Sequence, residues 1–179
     1  MKKLSKKKYT KIGILGGTFD PPHYGHIEIS KTAIKKFKLK NVLWITTNQN
    51  PFKPKPYLNL KNRVHLCKKI IKGQKKIVIK NFGKKQYSLN TYNLLRFLKN
   101  KNKKKEFFFL MGTDNLLNFH KWHKWKKIPK LAKIAVFARP GFSKNILTCK
   151  AAKKLDKQDW IYIKSTKLNI SSTKLKKIW

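Results

Sequence analysis

One stretch, Gly16-Gly17-Thr18-Phe19-Asp20-Pro21-Pro22-His23-Tyr24-Gly25-His26, restricts what this chain can fold into more than any other part of it. It follows an apolar run short enough for a buried strand, Ile12-Gly13-Ile14-Leu15. It precedes Ile27 to Phe37, where Ile27, Ile34 and Phe37, with Ile29 and Ala33, recur at helical spacing. The expected local structure is strand, glycine loop, helix. Gly16 and Gly17 let the backbone approach a ligand without a Cβ in the way, and Pro21 and Pro22 stiffen the loop before the helix begins. Free N–H groups at that helix start, together with the helix dipole, favour a phosphate. His23 and His26, three residues apart, place two imidazoles on one side of it. The pattern predicts a phosphate site with two side-chain donors.

Further along, short apolar runs alternate with amphipathic stretches, with no internal repeats. Val42 to Thr46 reads as a second strand, and Thr47 to Tyr57 as a loop, because Pro51, Pro54 and Pro56 forbid a regular element. Leu60, Val64, Cys67 and Ile71 mark one face of a helix that Gly73 ends, and Ile77-Val78-Ile79 follows as a short strand. Ser88 to Leu98 is expected as a third helix and the polar run Lys99 to Lys105 as a solvated connection. Phe107-Phe108-Phe109-Leu110-Met111, closed by Gly112, suits a central strand buried on both faces. Ile134 to Ala138 and Ile161-Tyr162-Ile163 are two more strands, and Ile170-Ser171-Ser172-Thr173 leads into a brief helix, Lys174 to Trp179.

This alternation predicts an α/β chain: a single Rossmann-like, doubly wound domain with a mainly parallel sheet and helices on both faces. Residues 1–10 are expected as a basic, flexible N-terminal extension and 11–179 as the domain. The glycine loop, the proline loop, Asp114 and Ser171 to Thr173 all fall at strand ends or helix starts. In such a sheet those positions converge on one crevice beyond the carboxyl ends of the strands.

The 179 residues, 40% of them hydrophobic, suit one domain with a sizeable core. No apolar run approaches a membrane span, and Met1 to Thr10 has no apolar signal core, so a cytoplasmic location is expected. Cys67 and Cys149 lie too far apart for a zinc spacing and form no disulfide framework; buried reduced thiols are expected. The net charge of +40 alone would point to nucleic acid. Yet only Arg63, Arg96 and Arg139 are arginines, and the lysines are spread along the whole chain, as a general compositional drift would leave them. A dedicated RNA binder makes more use of the planar arginine fork. Such a field attracts anionic substrates and holds nucleic acid non-specifically at low salt.

The Gly-Gly-Thr-Phe-Asp-Pro-Pro-His and His-x-Gly-His run resembles the signature of the nucleotidyltransferase superfamily, and in this form that of bacterial nicotinate-nucleotide adenylyltransferases. The resemblance covers nearly the whole chain. Trp44 with Asn50-Pro51-Phe52-Lys53, Gln86-Tyr87-Ser88-Leu89-Asn90-Thr91, Met111-Gly112-Thr113-Asp114-Asn115 with the tryptophans beyond, Arg139-Pro140-Gly141 and Ile170-Ser171-Ser172-Thr173 are all similar to segments of that family. Ser88, Asn90 and Lys176, where the family carries arginine, are departures.

The resemblance implies adenylyl transfer from ATP to nicotinate mononucleotide, giving deamido-NAD and pyrophosphate in NAD biosynthesis. It assigns His23, His26 and Lys53 to catalysis. Gly16, Gly17, Thr18, Phe19, His23, His26, Ser171, Ser172, Thr173 and Lys176 fall to ATP. Trp44, Asn50, Lys53, Tyr87, Thr91, Gly112, Asp114 and Trp122 fall to the mononucleotide, with Asp114 on a ribose hydroxyl and Trp122 on the pyridine ring. No protein metal site is implied; Mg2+ would be carried with ATP. Two other readings stay open: another phosphate acceptor, nicotinamide mononucleotide or phosphopantetheine, and a non-catalytic basic RNA-binding protein.

Overall fold

The computed structural model describes residues 9–50, 52, 54–82, 90–139, 146 and 148–164. Six strands form one sheet: β1 (Thr10–Gly17), β2 (Asn41–Thr46), β3 (Ile77–Lys80), β4 (Lys105–Gly112), β5 (Lys133–Phe137) and β6 (Trp160–Ile163). Their order across the sheet is β3-β2-β1-β4-β5-β6, and every neighbouring pair is parallel. The strand order reverses between β1 and β4, so the helices that follow them lie on opposite faces and leave a crevice at that point.

Alternation along β4 shows how the sheet is packed on both sides. Phe107, Phe109 and Met111 join one cluster, with Leu94, Leu95 and Leu98 of α3 (Thr91–Lys101), Leu116 of α4 (Thr113–Asn118) and Ala151 of α5 (Lys150–Lys154). Phe108 and Leu110 face the other way, into a cluster with Ile27 and Ala33 of α1 (Tyr24–Phe37) and Cys67 of α2 (Leu60–Ile70). A strand with apolar side chains on both faces fits only between two helical layers. Gly13, in the middle of β1, belongs to this packing: a Cβ there would lie 2.9 Å from methyl groups of both Leu39 and Val42.

The expected strands are all present, but some boundaries and elements differ. The Lys99 to Lys105 run is not one loop, since α3 continues to Lys101 and β4 starts at Lys105. Lysine is a good helix former, and a tight turn in which the Lys105 N–H donates to the Asn102 carbonyl at 3.0 Å makes the change of direction. Helix α3 starts at Thr91, capped by the Asn90 side chain, which accepts from the Asn93 N–H at 2.9 Å. Helices α4 and α5 are too short to show an amphipathic period and carry no signal in the sequence. The expected final helix lies outside the described residues.

Among the described residues no helix is long and apolar enough to cross a membrane. Both cysteines are free. Cys67 is fully buried in α2, and burial pushes its thiol up to about 12, with Arg63 pulling the other way, whereas Cys149 is only half-buried. Because the thiolate is the reactive form, a thiol reagent at pH 8 is expected to titrate one cysteine quickly, Cys149, and the second only after denaturant is added. Two fast equivalents in the native protein would show that Cys67 is not enclosed.

Candidate active site

Strands β1 and β4 each end two residues beyond their paired residues Leu15 and Leu110, so Gly17 and Gly112 leave the sheet at the same edge. After Gly17 the chain turns at Phe19, whose φ of +50° is a left-handed conformation. That costs roughly 1–2 kcal/mol for a residue with a Cβ. The cost is matched by burying the ring, 2% exposed and stacked on Trp44 at 4.9 Å between centroids, since a buried Phe side chain contributes about 1.5–3 kcal/mol. The packing of the Phe19 ring therefore offsets the backbone cost of the turn.

His23 is the N-cap of α1, and its N–H donates to Nδ1 of His26 at 3.1 Å. With Nδ1 occupied as an acceptor, the neutral His26 ring carries its proton on Nε2. The two imidazole centroids are 3.8 Å apart, His23 buried and His26 partly open. A third residue steadies this corner: the Trp44 Nε1–H donates to Ser30 Oγ at 2.8 Å, and Ser30 Oγ donates to the His26 carbonyl at 2.8 Å.

Two of the expected ligand residues have a structural setting of their own. The Trp44 side chain is 0% exposed and packs against Phe19 and His26, with its Nε1–H on Ser30. The Phe19 ring is likewise buried, stacked on Trp44.

Gly16, Gly17, Thr18, His23 and His26 do come together where β1 gives way to α1. Gly16 is exposed, and a Cβ on it would meet nothing closer than Phe109 at 3.9 Å. The fold itself leaves room for a side chain there. Asn50 lies in the loop after β2, where its Oδ1 accepts from the Phe52 N–H at 2.9 Å and so shapes that loop. At the end of β4, Asp114 is held by Arg139, whose Nη1 donates to Oδ2 at 2.7 Å. Gly112 is required by that carboxylate, because a Cβ would sit 2.5 Å from Asp114 Oδ1. Trp122 packs edge-on against Phe109 and Phe119. The rings of Tyr92 and His123, 6.0 Å apart, bring the start of α3, with Thr91, beside the Trp122 segment. Lys53, Tyr87, Ser171, Ser172, Thr173 and Lys176 lie outside the described residues.

Three residues with structural work at the site went unassigned from sequence: Asp20, Arg63 and Arg139. Asp20 is 3% exposed and accepts from the N–H groups of Tyr57 and Leu58 at 2.8 and 3.0 Å. Arg63, 2% exposed, donates to four carbonyls. Burial lowers its pKa from the usual arginine range, with the Asp20 charge acting in the opposite sense. A signal for the arginines did exist in a chain whose positive charge is almost all lysine: Arg63 uses several donors of its planar group, and Arg139 pairs with a carboxylate.

Residues 14–178 match the cytidylyltransferase-like family. A protein of Pelagibacter ubique named "Probable nicotinate-nucleotide adenylyltransferase" is 49% identical over 175 residues, 98% of this chain and 96% of that protein. One of the same name from Agrobacterium fabrum is 31% identical over 182 residues, 92% and 97% of the two chains. The structure of Plasmodium falciparum nicotinic acid mononucleotide adenylyltransferase complexed with NaAD shares the fold, with a TM-score of 0.75 at 21% identity, covering 94% of this chain and 83% of that one.

Proposed function

The chain belongs to the nicotinate-nucleotide adenylyltransferases, within the cytidylyltransferase-like family, and on that premise we propose how its residues carry the transfer of an adenylyl group from ATP to nicotinate mononucleotide. An oxygen of the mononucleotide phosphate attacks the α-phosphorus of ATP. The bond from that phosphorus to the bridging oxygen breaks, deamido-NAD forms, and pyrophosphate leaves with the electron pair. A phosphate oxygen is already nucleophilic near neutral pH, so the protein's tasks are to hold two anions in line and to stabilise charge on the α-phosphoryl oxygens.

The observation that best supports this assignment is the imidazole pair at the start of α1, on the rim of the crevice where the sheet order reverses. His26, with its Nε2–H as donor, takes the α-phosphate, and His23 and the Gly16–Gly17 backbone take the neighbouring phosphates. Lys53, Ser171, Ser172, Thr173 and Lys176 complete the phosphate site in this reading. Asp114, fixed by Arg139, accepts from a ribose hydroxyl. Trp122 offers a ring face to the pyridine, and Thr91 with nearby N–H groups takes its carboxylate. Among the described residues no three carboxylate, imidazole or thiolate groups converge; magnesium enters as part of Mg·ATP, as this hard cation commonly does on phosphates.

ATP assayed against nicotinate mononucleotide, nicotinamide mononucleotide and phosphopantetheine tests the reading. Deamido-NAD is the expected main product, with kcat/KM for the nicotinate acceptor at least about tenfold above that for the amide, because N–H donors placed for a carboxylate leave the amide NH2 badly paired. Equal values for the two mononucleotides would move the chain to the broader acceptor class. No transfer to any of the three would favour a non-catalytic binding role.

A further inference from the structure

We propose that Arg63 and Asp20 are positioning residues that lock the loop after β1 and the loop after β2 into one rigid wall of the crevice, on which the transfer geometry depends. The inference rests on the adenylyl-transfer reading. The Arg63 side chain leaves α2 and reaches three separate segments at once. Its Nη1 donates to the Thr18 carbonyl at 2.6 Å and to the Thr47 carbonyl at 2.8 Å, Nη2 to Asn48 at 3.0 Å and Nε to Leu58 at 3.0 Å. Asp20 closes the figure from the other side through its two bonds to the N–H groups of Tyr57 and Leu58. The Thr47 N–H adds a direct link to the Gly17 carbonyl at 3.0 Å.

The loop after β1 leads into the start of α1, where His23 and His26 lie only three and six positions past Asp20, and the loop after β2 carries Asn50 only two past Asn48. Reagents held by different loops react at a rate set by how well the loops keep their separation, and a displacement of about 1 Å can cost on the order of a hundredfold. Stability alone does not account for a buried guanidinium here. An apolar side chain of similar volume commonly packs at equal or lower free energy than a buried charge, but it cannot bridge carbonyls from three segments. Lysine cannot either, since its single ammonium lacks the planar fork.

The test uses the full chain with the substitutions Arg63→Lys and Asp20→Asn. ATP is supplied with whichever mononucleotide the wild type accepts, so a wrong acceptor assignment shows in the wild type and not in the variants. Arg63→Lys keeps the charge and loses the fork. It is expected to lower kcat by about 10- to 100-fold while KM for ATP moves less than about threefold, after rates are corrected for the folded fraction seen by thermal melting. Asp20→Asn, a milder change that leaves one acceptor oxygen, is expected to fold and to lose about tenfold in kcat. Hydrogen exchange of the amides in 17–26 and 47–50 is expected to quicken in both variants relative to the rest of the sheet. A turnover within threefold of wild type in folded Asp20→Asn would overturn the proposal, and so would a loss in either variant that disappears on correction for the folded fraction.

Discussion

Alanine in place of His26 is expected to lower kcat by about 100- to 1000-fold, the usual cost of removing one donor from charge that builds in a transition state. The variant should stay folded. Its ring accepts the His23 N–H, and losing such a cap costs about 0.5–2 kcal/mol. The stability change and the rate change thus differ enough to be told apart by a thermal melt and initial rates on the same sample. If folded His26→Ala retains more than about a tenth of wild-type turnover, His26 does not face the α-phosphate, and His23 becomes the remaining imidazole candidate.

The second large effect comes from two glycines in the same strand with opposite reasons for being glycine. In Gly13→Ala the new methyl group meets Leu39 and Val42 at 2.9 Å, in the layer between β1 and α1. Overpacking of this kind costs about 1–3 kcal/mol, or roughly 3–9 °C in Tm for a chain of this size. KM for ATP should not move. In Gly16→Ala the methyl group has no protein neighbour closer than 3.9 Å. Tm should stay within about 1 °C, while KM for ATP rises by about tenfold or more as the Cβ occupies space meant for a phosphate, a loss of roughly 1.4 kcal/mol. An unchanged KM in Gly16→Ala would show that the ligand does not approach this backbone. A Gly13→Ala protein as stable as wild type would show that Leu39 and Val42 can move aside.

The sheet was legible in the sequence because its strands are hydrophobic on both faces and short. Phe107 to Met111 is the clearest case: five apolar residues in a row leave no polar face, and only a central parallel strand uses such a run. The strand-loop-helix at Gly16 to His26 was legible because glycine, proline and histidine each restrict the backbone or the chemistry in the same direction. What stayed hidden has two physical sources. Helix α4 has six residues, under two turns, so no period can show. The burial of Trp44 and Phe19 also stays hidden, because a motif records which residues cluster, not which way their side chains point. Arg63 lies in a helix whose inward face was recognised from its apolar residues, and a charged residue on that inner face goes against the pattern used to find it.

The order of the strands also sets the order in which the molecule can be assembled. β1, β2 and β3 are neighbours in both sequence and space, as are β4, β5 and β6, but β1 and β4 join residues as distant as Thr10 and Lys105. A chain emerging from the ribosome can complete the first three strands early. It must then wait for β4, which starts at Lys105, 25 residues past the end of β3 at Lys80, and the β1–β4 pairing closes a loop about half the chain long, the slow kind of pairing. During that wait β1 is an open edge of the half-sheet, a template for pairing with another nascent chain. Like-charged molecules repel, so the dense positive charge of the chain opposes such pairing of open edges until β4 docks and the crevice comes into being.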